Sequence, residues 1–178
     1  LVTDPRAEWE DAEAAVAALR ELGYASPHML GYFPRITDSR LPDAPPRPAG
    51  GAIAGLLSKL DSLHGPWRSL DQQGLGLKRQ YRPAVSLDEE DRTLLERSGL
   101  NSLIVDSTHR LRVRGDRTLA RGTEPHRRQT KLHVQRLCLA LVHAIDAATR
   151  WAVFERPGPR LAELVQAQVT ASFIALYE

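Results

Sequence analysis

Four prolines lie close together in the sequence, at positions 42, 45, 46 and 48. Proline fixes the backbone angle φ and has no backbone N–H, so the stretch from Arg40 to Pro48 can form neither a regular helix nor a central strand. This stretch is therefore predicted to be an irregular connector. It separates a short N-terminal part of the chain from a longer C-terminal part.

The residues before the connector are predicted to form one helix and one strand. Asp4 followed by Pro5 is a favourable helix start, and apolar residues then recur on one helical face. Gly23 can end this helix, so the pattern predicts a helix over residues 5–22. The aromatic and apolar residues from His28 to Ile36 are typical of a strand.

Helical spacing of apolar residues returns after the connector. Ser86, with Glu89 three residues later, forms a capping-box pattern that predicts a short helix ending at Arg97. Longer periodic stretches predict three more helices, over Gly50–His64, Thr130–Arg150 and Arg160–Tyr177.

Strands are predicted between these helices. A short strand is predicted over Arg82–Val85. Residues 100–106 and 109–114 are predicted to pair as the two arms of an antiparallel hairpin. Trp151–Phe154 is predicted to be a short buried strand beside the hairpin, so that Phe154→Ala would cost about 3–5 kcal/mol. The expected fold class is α+β: a mixed sheet with an antiparallel hairpin, packed against two long C-terminal helices.

Composition is that of a soluble globular protein, with 42% apolar and 26% charged residues. The only cysteine, Cys138, cannot form an internal disulfide, which fits a reducing compartment. No apolar run approaches the roughly 18 residues of a membrane-spanning helix, so no membrane contact is expected.

Charge is concentrated in one segment. Residues 107–136 carry nine Lys and Arg but only two Asp and Glu, whereas the rest of the chain is net acidic. Helix geometry places Lys131 and Gln135 about one turn apart, away from the apolar stripe. The sequence thus predicts an exposed basic face that includes Arg127, Arg128, Lys131 and Arg136. Such a face suits an acidic protein surface, a nucleic acid or plain solvation.

Catalytic and cofactor patterns are weak. Residues 50–55 have the glycine spacing of a phosphate loop, but Leu56 and Leu57 stand where Lys and Ser or Thr are needed. His133, Cys138 and His143 are spaced so that they point in different directions from one helix, which excludes a shared metal ion. No cofactor and no catalytic residue is predicted.

Several local patterns, in order along the chain, resemble the C-terminal half of contractile tail sheath proteins. Val113-Arg114-Gly115-Asp116-Arg117-Thr118-Leu119 is similar to the Val-Trp-Gly-Ala-Arg-Thr-Leu pattern of that family and is the most specific of them. Others are Tyr32-Phe33-Pro34, Pro45-Pro46 with Gly51-Ala52-Ile53-Ala54-Gly55, Asp61 to Trp67, Gly99-Leu100-Asn101, His133-Val134-Gln135-Arg136-Leu137, and Trp151-Ala152-Val153-Phe154-Glu155.

The sequence also departs from the family pattern. Arg114 replaces the family tryptophan, and Gln135 replaces one of two paired arginines. The resemblance implies that residues 1–48 are the end of a variable α/β sheath domain plus the connector. It implies that residues 49–178 are the core C-terminal sheath domain without its last strands.

The resemblance implies a function in assembly, without catalysis or cofactors. Sheath protomers assemble helically around an inner tube and contract to drive the tube through a target membrane. The implied partners are other sheath protomers and the inner tube protein, and the basic face is expected to contact the tube. The resemblance implies no contact with nucleic acid or with a membrane. The implied location is the cytoplasm of the producing bacterium and then the assembled phage or injection particle.

Two other functions remain open from the residues themselves. A nucleic-acid-binding module could use the same basic segment, although no aromatic residues for base stacking are interleaved there. A small hydrolase with an unrecognised site is the third reading.

Overall fold

The computed structural model describes residues 9–23, 25–71, 74–120 and 130–177. The chain divides into two compact units, Leu1–Gln135 and Arg136–Glu178. The proposed division at residue 48 is a matter of family comparison and stays a prediction.

The described part of the first unit contains three complete α-helices: α1 (Ala12–Glu21), α2 (Gly50–His64) and α3 (Glu89–Arg97). The bounds of α2 are those predicted. The predicted start at Asp4 lies outside the described residues, and residues 9–11 are not helical, because Asp11 caps α1 by accepting the Ala14 N–H at 2.7 Å.

The capping prediction for α3 is wrong by two residues. Asp88, not Ser86, is the N-cap, and it forms a capping box with Asp91. Capping at Asp88 leaves Leu87 just before the helix, where its side chain is buried among apolar residues. Burial of this leucine favours the observed start over the one that the Ser86 pattern predicted.

The described residues contain five short strands, which form two sheets. The predicted strand over His28–Ile36 is in fact two strands, which lie in different sheets and are separated by Pro34. One sheet has the order β1 (Gly31–Phe33), β4 (Leu100–Val105) and β5 (Leu111–Arg114); the other pairs β2 (Ile36–Asp38) with β3 (Tyr81–Pro83).

The larger sheet is mixed and contains the predicted hairpin. Strands β4 and β5 pair antiparallel, with Leu103 opposite Val113, while β1 pairs with β4 in parallel. The neighbour of the hairpin is therefore β1 and not Trp151–Phe154, so that part of the prediction is wrong.

Apolar side chains cover both faces of this sheet. One face packs with α2 in a cluster that includes Tyr32, Leu103, Val113, Ile53 and Leu60. The opposite face carries Phe33 and Leu100 and packs with α1 and α3. The first unit therefore has its own hydrophobic core, in which the sheet is the middle layer.

Among the described residues of the second unit there is no comparable core. This unit contains most of α4 (Leu132–Thr149), a 3₁₀ segment (Arg150–Phe154) and α5 (Pro159–Tyr177). The predicted strand at Trp151–Phe154 is wrong, because these residues continue from α4 as the 3₁₀ segment. Phe154 is 92% exposed and Val153 is 79% exposed, so neither contributes to a core.

One helical stretch among the described residues, Leu132–Phe154, is long and apolar enough to cross a membrane, with a mean hydropathy of 1.4. This contradicts the expectation that no apolar run approaches that length. This criterion uses only the length and composition of the helix, and buried helices of water-soluble proteins also meet it.

Candidate assembly interface

The segment after the hairpin is tied to the sheet by one buried side chain. Asn101 is 1% exposed, and its amide donates to the carbonyl oxygens of Gly31 (3.1 Å) and Arg117 (2.8 Å). Its Oδ1 accepts the Arg117 N–H at 2.8 Å. Gly115 lies against it with φ of 109°, where an added Cβ would come within 2.9 Å of Asn101 Oδ1. The segment 113–119 is therefore a structural junction.

The same segment starts α4. The Asp116 carbonyl accepts the Leu132 N–H at 3.0 Å, and its carboxylate accepts the His133 N–H at 3.3 Å and also contacts the His133 ring. A carboxylate at this end of a helix satisfies free N–H groups and complements the helix dipole. The junction thus fixes the start of α4.

The described arginines of the basic segment are partly neutralised by the chain itself. Arg112 lies 3.4 Å from Asp106, Arg114 lies 3.5 Å from Glu89, and Arg117 lies 3.7 Å from Glu96. Arg112 and Arg114 lie on the sheet face opposite Leu111 and Val113, as the alternation predicted. These pairs reduce the positive potential that the sequence count indicated.

Asp106 organises the hairpin turn beside these arginines. Its carboxylate accepts hydrogen bonds from the Thr108 hydroxyl at 2.6 Å and from the Arg110 N–H at 3.0 Å. These bonds, strengthened by the nearby Arg112 guanidinium, lower the pKa of Asp106 to about 2. The turn is therefore held by an ionised carboxylate at neutral pH.

Only part of the predicted basic face can be located. Arg127 and Arg128 lie outside the described residues. Lys131 is exposed, as predicted. Its backbone pairs with that of Arg117 in an isolated antiparallel β-bridge. Arg136, at the start of the second unit, is half-buried.

Gln135 does not lie on that outward face. It is 5% exposed, and its Nε2 lies 3.2 Å from Nδ1 of His28. The expectation that Gln135 points outward with Lys131 is therefore wrong, because the Gln135 side chain packs inside the first unit, next to His28.

The glycine run at residues 50–55 forms the first turns of α2, not a phosphate loop. Close packing does not explain it either, since a Cβ added at Gly51 or Gly55 would meet no atom within 4 Å. Within the described ranges, no group of three or more His, Cys, Asp or Glu side chains could hold a metal ion.

The second unit exposes large apolar side chains along its whole length. None of the described side chains of α5 is buried, and in α4 only Leu132 and Gln135 are. The exposed set is Leu139, Val142, Trp151, Val153, Phe154, Leu164, Phe173 and Ile174.

The exposed set makes the second unit a candidate contact surface, because large exposed apolar patches mark interaction sites in soluble proteins. The apolar residues of α5 lie on several sides of the helix, which one packed face cannot cover.

No protein-family model matches the sequence, and no curated protein matches it. Comparison with solved structures, however, finds clear likenesses. A chain of the sheath complex of an extracellular contractile injection system, PVC, in its contracted state has a TM-score of 0.78 at 22% identity, over 97% of this chain and 46% of that chain.

Two further likenesses come from the anti-feeding prophage (AFP). A chain of its baseplate has a TM-score of 0.72 at 22% identity, over 93% of this chain and 48% of that one. A chain of its contracted helical sheath has a TM-score of 0.74 at 22% identity, over 86% and 41% respectively. This chain therefore has the fold of one part of contractile sheath proteins, and it spans about half the length of the chains it matches.

Proposed function

We propose that this chain is a structural protomer of a contractile sheath, which assembles helically around an inner tube and contracts to drive the tube through a target membrane. The observation that carries the proposal is the fold, which is shared with sheath chains over nearly all of the described structure. The resemblance of the segment 113–119 to the sheath pattern supports it, because this segment is the buried junction of the fold.

The uncovered apolar surface of the second unit supports assembly rather than a free monomer. Soluble monomers seldom expose so much apolar area without a partner. In the proposed sheath, neighbouring protomers cover it. The same coverage accounts for the membrane-like composition of Leu132–Phe154 without any membrane contact.

A sheath protomer needs a rigid body that keeps its shape while its contacts with neighbours change. The first unit supplies this rigidity, since apolar side chains cover both faces of its sheet. The role involves no substrate turnover and no cofactor. We also keep as a proposal the division of the chain at residue 48 into the end of a variable domain and the core sheath domain.

The inner tube is the proposed partner of the basic face formed by Arg127, Arg128, Lys131 and Arg136. A mainly polar contact is screened by salt and easily broken, which suits a sleeve that must slide along a tube. Protomers synthesised in the bacterial cytoplasm would then become part of the assembled particle.

The tube contact can be tested by charge reversal. Arg127→Glu, Arg128→Glu and Lys131→Glu together should weaken sheath assembly around tubes, most visibly at low salt, and leave the fold intact. Reversal of the exposed Lys59, Arg68 and Lys78 is the matched control. Normal sleeves on tubes from the first variant would exclude this contact.

The function itself is tested by electron microscopy of the full-length protein. Helical sleeves would support the proposal. A nucleic-acid-binding module would instead bind duplex DNA with an affinity that falls steeply with salt.

A further inference from the structure

Helices α1 and α3 lie side by side in the same direction. Glu13, in the first turn of α1, lines one groove together with Asp88 and Asp91 at the start of α3. Arg20, in the last turn of α1, lines a second groove together with Arg97 at the end of α3. The N-terminal ends of both helices therefore share one end of this surface, and the C-terminal ends share the other.

The groove at the C-terminal end has a volume of about 850 Å³ and a basic rim. Its apolar lining comes from α1, α3 and residue 119. Its cations are Arg20, Arg97 and Arg117. Arg117 faces Glu96 at 3.7 Å, whereas Arg20 and Arg97 have no carboxylate within 4.0 Å in the described part of the chain. The groove thus offers two uncompensated guanidinium groups beside apolar side chains.

The groove at the N-terminal end has a volume of about 620 Å³ and is acidic. Asp88 and Asp91 are held in the capping box of α3, but Glu13 and Glu90 are exposed and have no ion-pair partner among the described residues. The two grooves adjoin, since Leu94 and Arg97 line both. One surface therefore carries opposite charge at its two ends.

Charges of these signs complement the dipoles of two parallel helices, which accounts for their stabilising effect within one chain. That effect does not explain why Arg20 and Arg97 border an open groove with an apolar lining. The electrostatic complement of this groove, an exposed acidic surface beside Leu94, is present at the other end of the same helix pair.

We propose that this surface is a head-to-tail contact between two copies of the chain, in which the acidic groove of one copy meets the arginine-rimmed groove of the next. A contact between two different patches propagates as a ring or an open helix. It also aligns the helix dipoles of successive copies. The inference rests on the proposed function and names one contact of a protomer with its neighbour.

Charge-swapped variants test this contact. Variant A carries Arg20→Glu and Arg97→Glu, so both of its grooves are acidic. Variant B carries Glu13→Lys and Glu90→Lys, so both are basic. The control carries Arg68→Glu and Lys78→Glu, two exposed positions that line neither groove.

Self-association of the full-length protein is measured by sedimentation velocity at low and at high salt, and circular dichroism checks that each variant is folded. Variants A and B should each associate about tenfold more weakly than the unaltered protein at low salt, and the control should not. An equimolar mixture of A and B should regain association, because every contact then joins opposite charges.

Failure of this inference is distinct from failure of the proposed function. If A, B and their mixture all associate as the unaltered protein does, the contact is excluded while sheath assembly stands. If A and B are folded but their mixture regains nothing, the contact is also excluded. If the unaltered protein forms no assembly in the microscope or the centrifuge, the proposed function and this inference both fall.

Discussion

Replacing Asn101 by alanine should lower the free energy of unfolding of the first unit by about 3–5 kcal/mol. The substitution removes three hydrogen bonds, each worth about 0.5–1.5 kcal/mol. It also leaves the Arg117 N–H without its acceptor in a buried place, which adds about 1–3 kcal/mol. These contributions sum to about 2.5–7.5 kcal/mol, and the expected loss lies in the lower half of that range because water can partly satisfy the groups left without partners.

The assay is equilibrium unfolding in urea, followed by tryptophan fluorescence. Trp9 is a suitable reporter because its ring lies 6.2 Å from that of Phe33, in the first unit. Ser102→Ala is the matched control: Ser102 is the next residue, is also buried, and donates one long bond of 3.3 Å to Arg114. It should cost no more than about 1 kcal/mol. A loss below about 1 kcal/mol for Asn101→Ala would refute the role of this side chain as the junction of the fold.

Three further predictions concern the core, the second unit and acid sensitivity. Leu60→Ala should destabilise the first unit by about 2–5 kcal/mol in the same assay, because Leu60 is fully buried in the cluster on α2. Phe154→Ala should change the stability of the unassembled chain by less than about 0.5 kcal/mol, because its ring is exposed, but it should reduce assembly measured by light scattering. The pKa of Asp106 in the folded state is about 2, below its ordinary value of 3.8. The ionised carboxylate therefore stabilises the fold above pH 4, and this stabilisation is lost as the pH falls towards 2. Asp106→Asn should reduce the fall in the free energy of unfolding between pH 4 and pH 2, measured by urea unfolding at each pH.

The elements that the sequence predicted well have strong local signals. Helix α2 ends at Gly65 with φ of 82°, a conformation that glycine favours, and Pro66 follows it, so its end was clear from the residues alone. The β4–β5 hairpin was equally clear, because Leu111 and Val113 alternate with arginines and are matched across a turn by Val105 and Leu103.

The failures arise where two local patterns compete or where burial depends on distant residues. Ser86 and Asp88 both start plausible capping boxes, and only the packing of Leu87 distinguishes them. Trp151–Phe154 has the composition of a buried strand, yet the described structure leaves Phe154 open to solvent. An apolar sequence indicates that a surface is to be covered, but not whether the same chain or a neighbour covers it.

The candidate interface was predicted less completely than the fold. The basic face follows from a count of charges, but the count could not show that Asp106, Glu89 and Glu96 lie beside the arginines of the hairpin strand and of the junction after it. Gln135 was assigned to the exposed side of α4 because its partner, His28, lies far away in the sequence. Contacts of this kind become visible only once the chain is folded.

We propose that the exposed apolar surface of the second unit is an assembly surface of a sheath. A cryo-EM reconstruction of the full-length protein, assembled on its tube, tests this most directly. We expect a helical sleeve in which Val142, Phe154 and Ile174 are covered by neighbouring protomers. A protein that remains monomeric in the presence of its tube, or a sleeve in which these side chains face solvent, would contradict it.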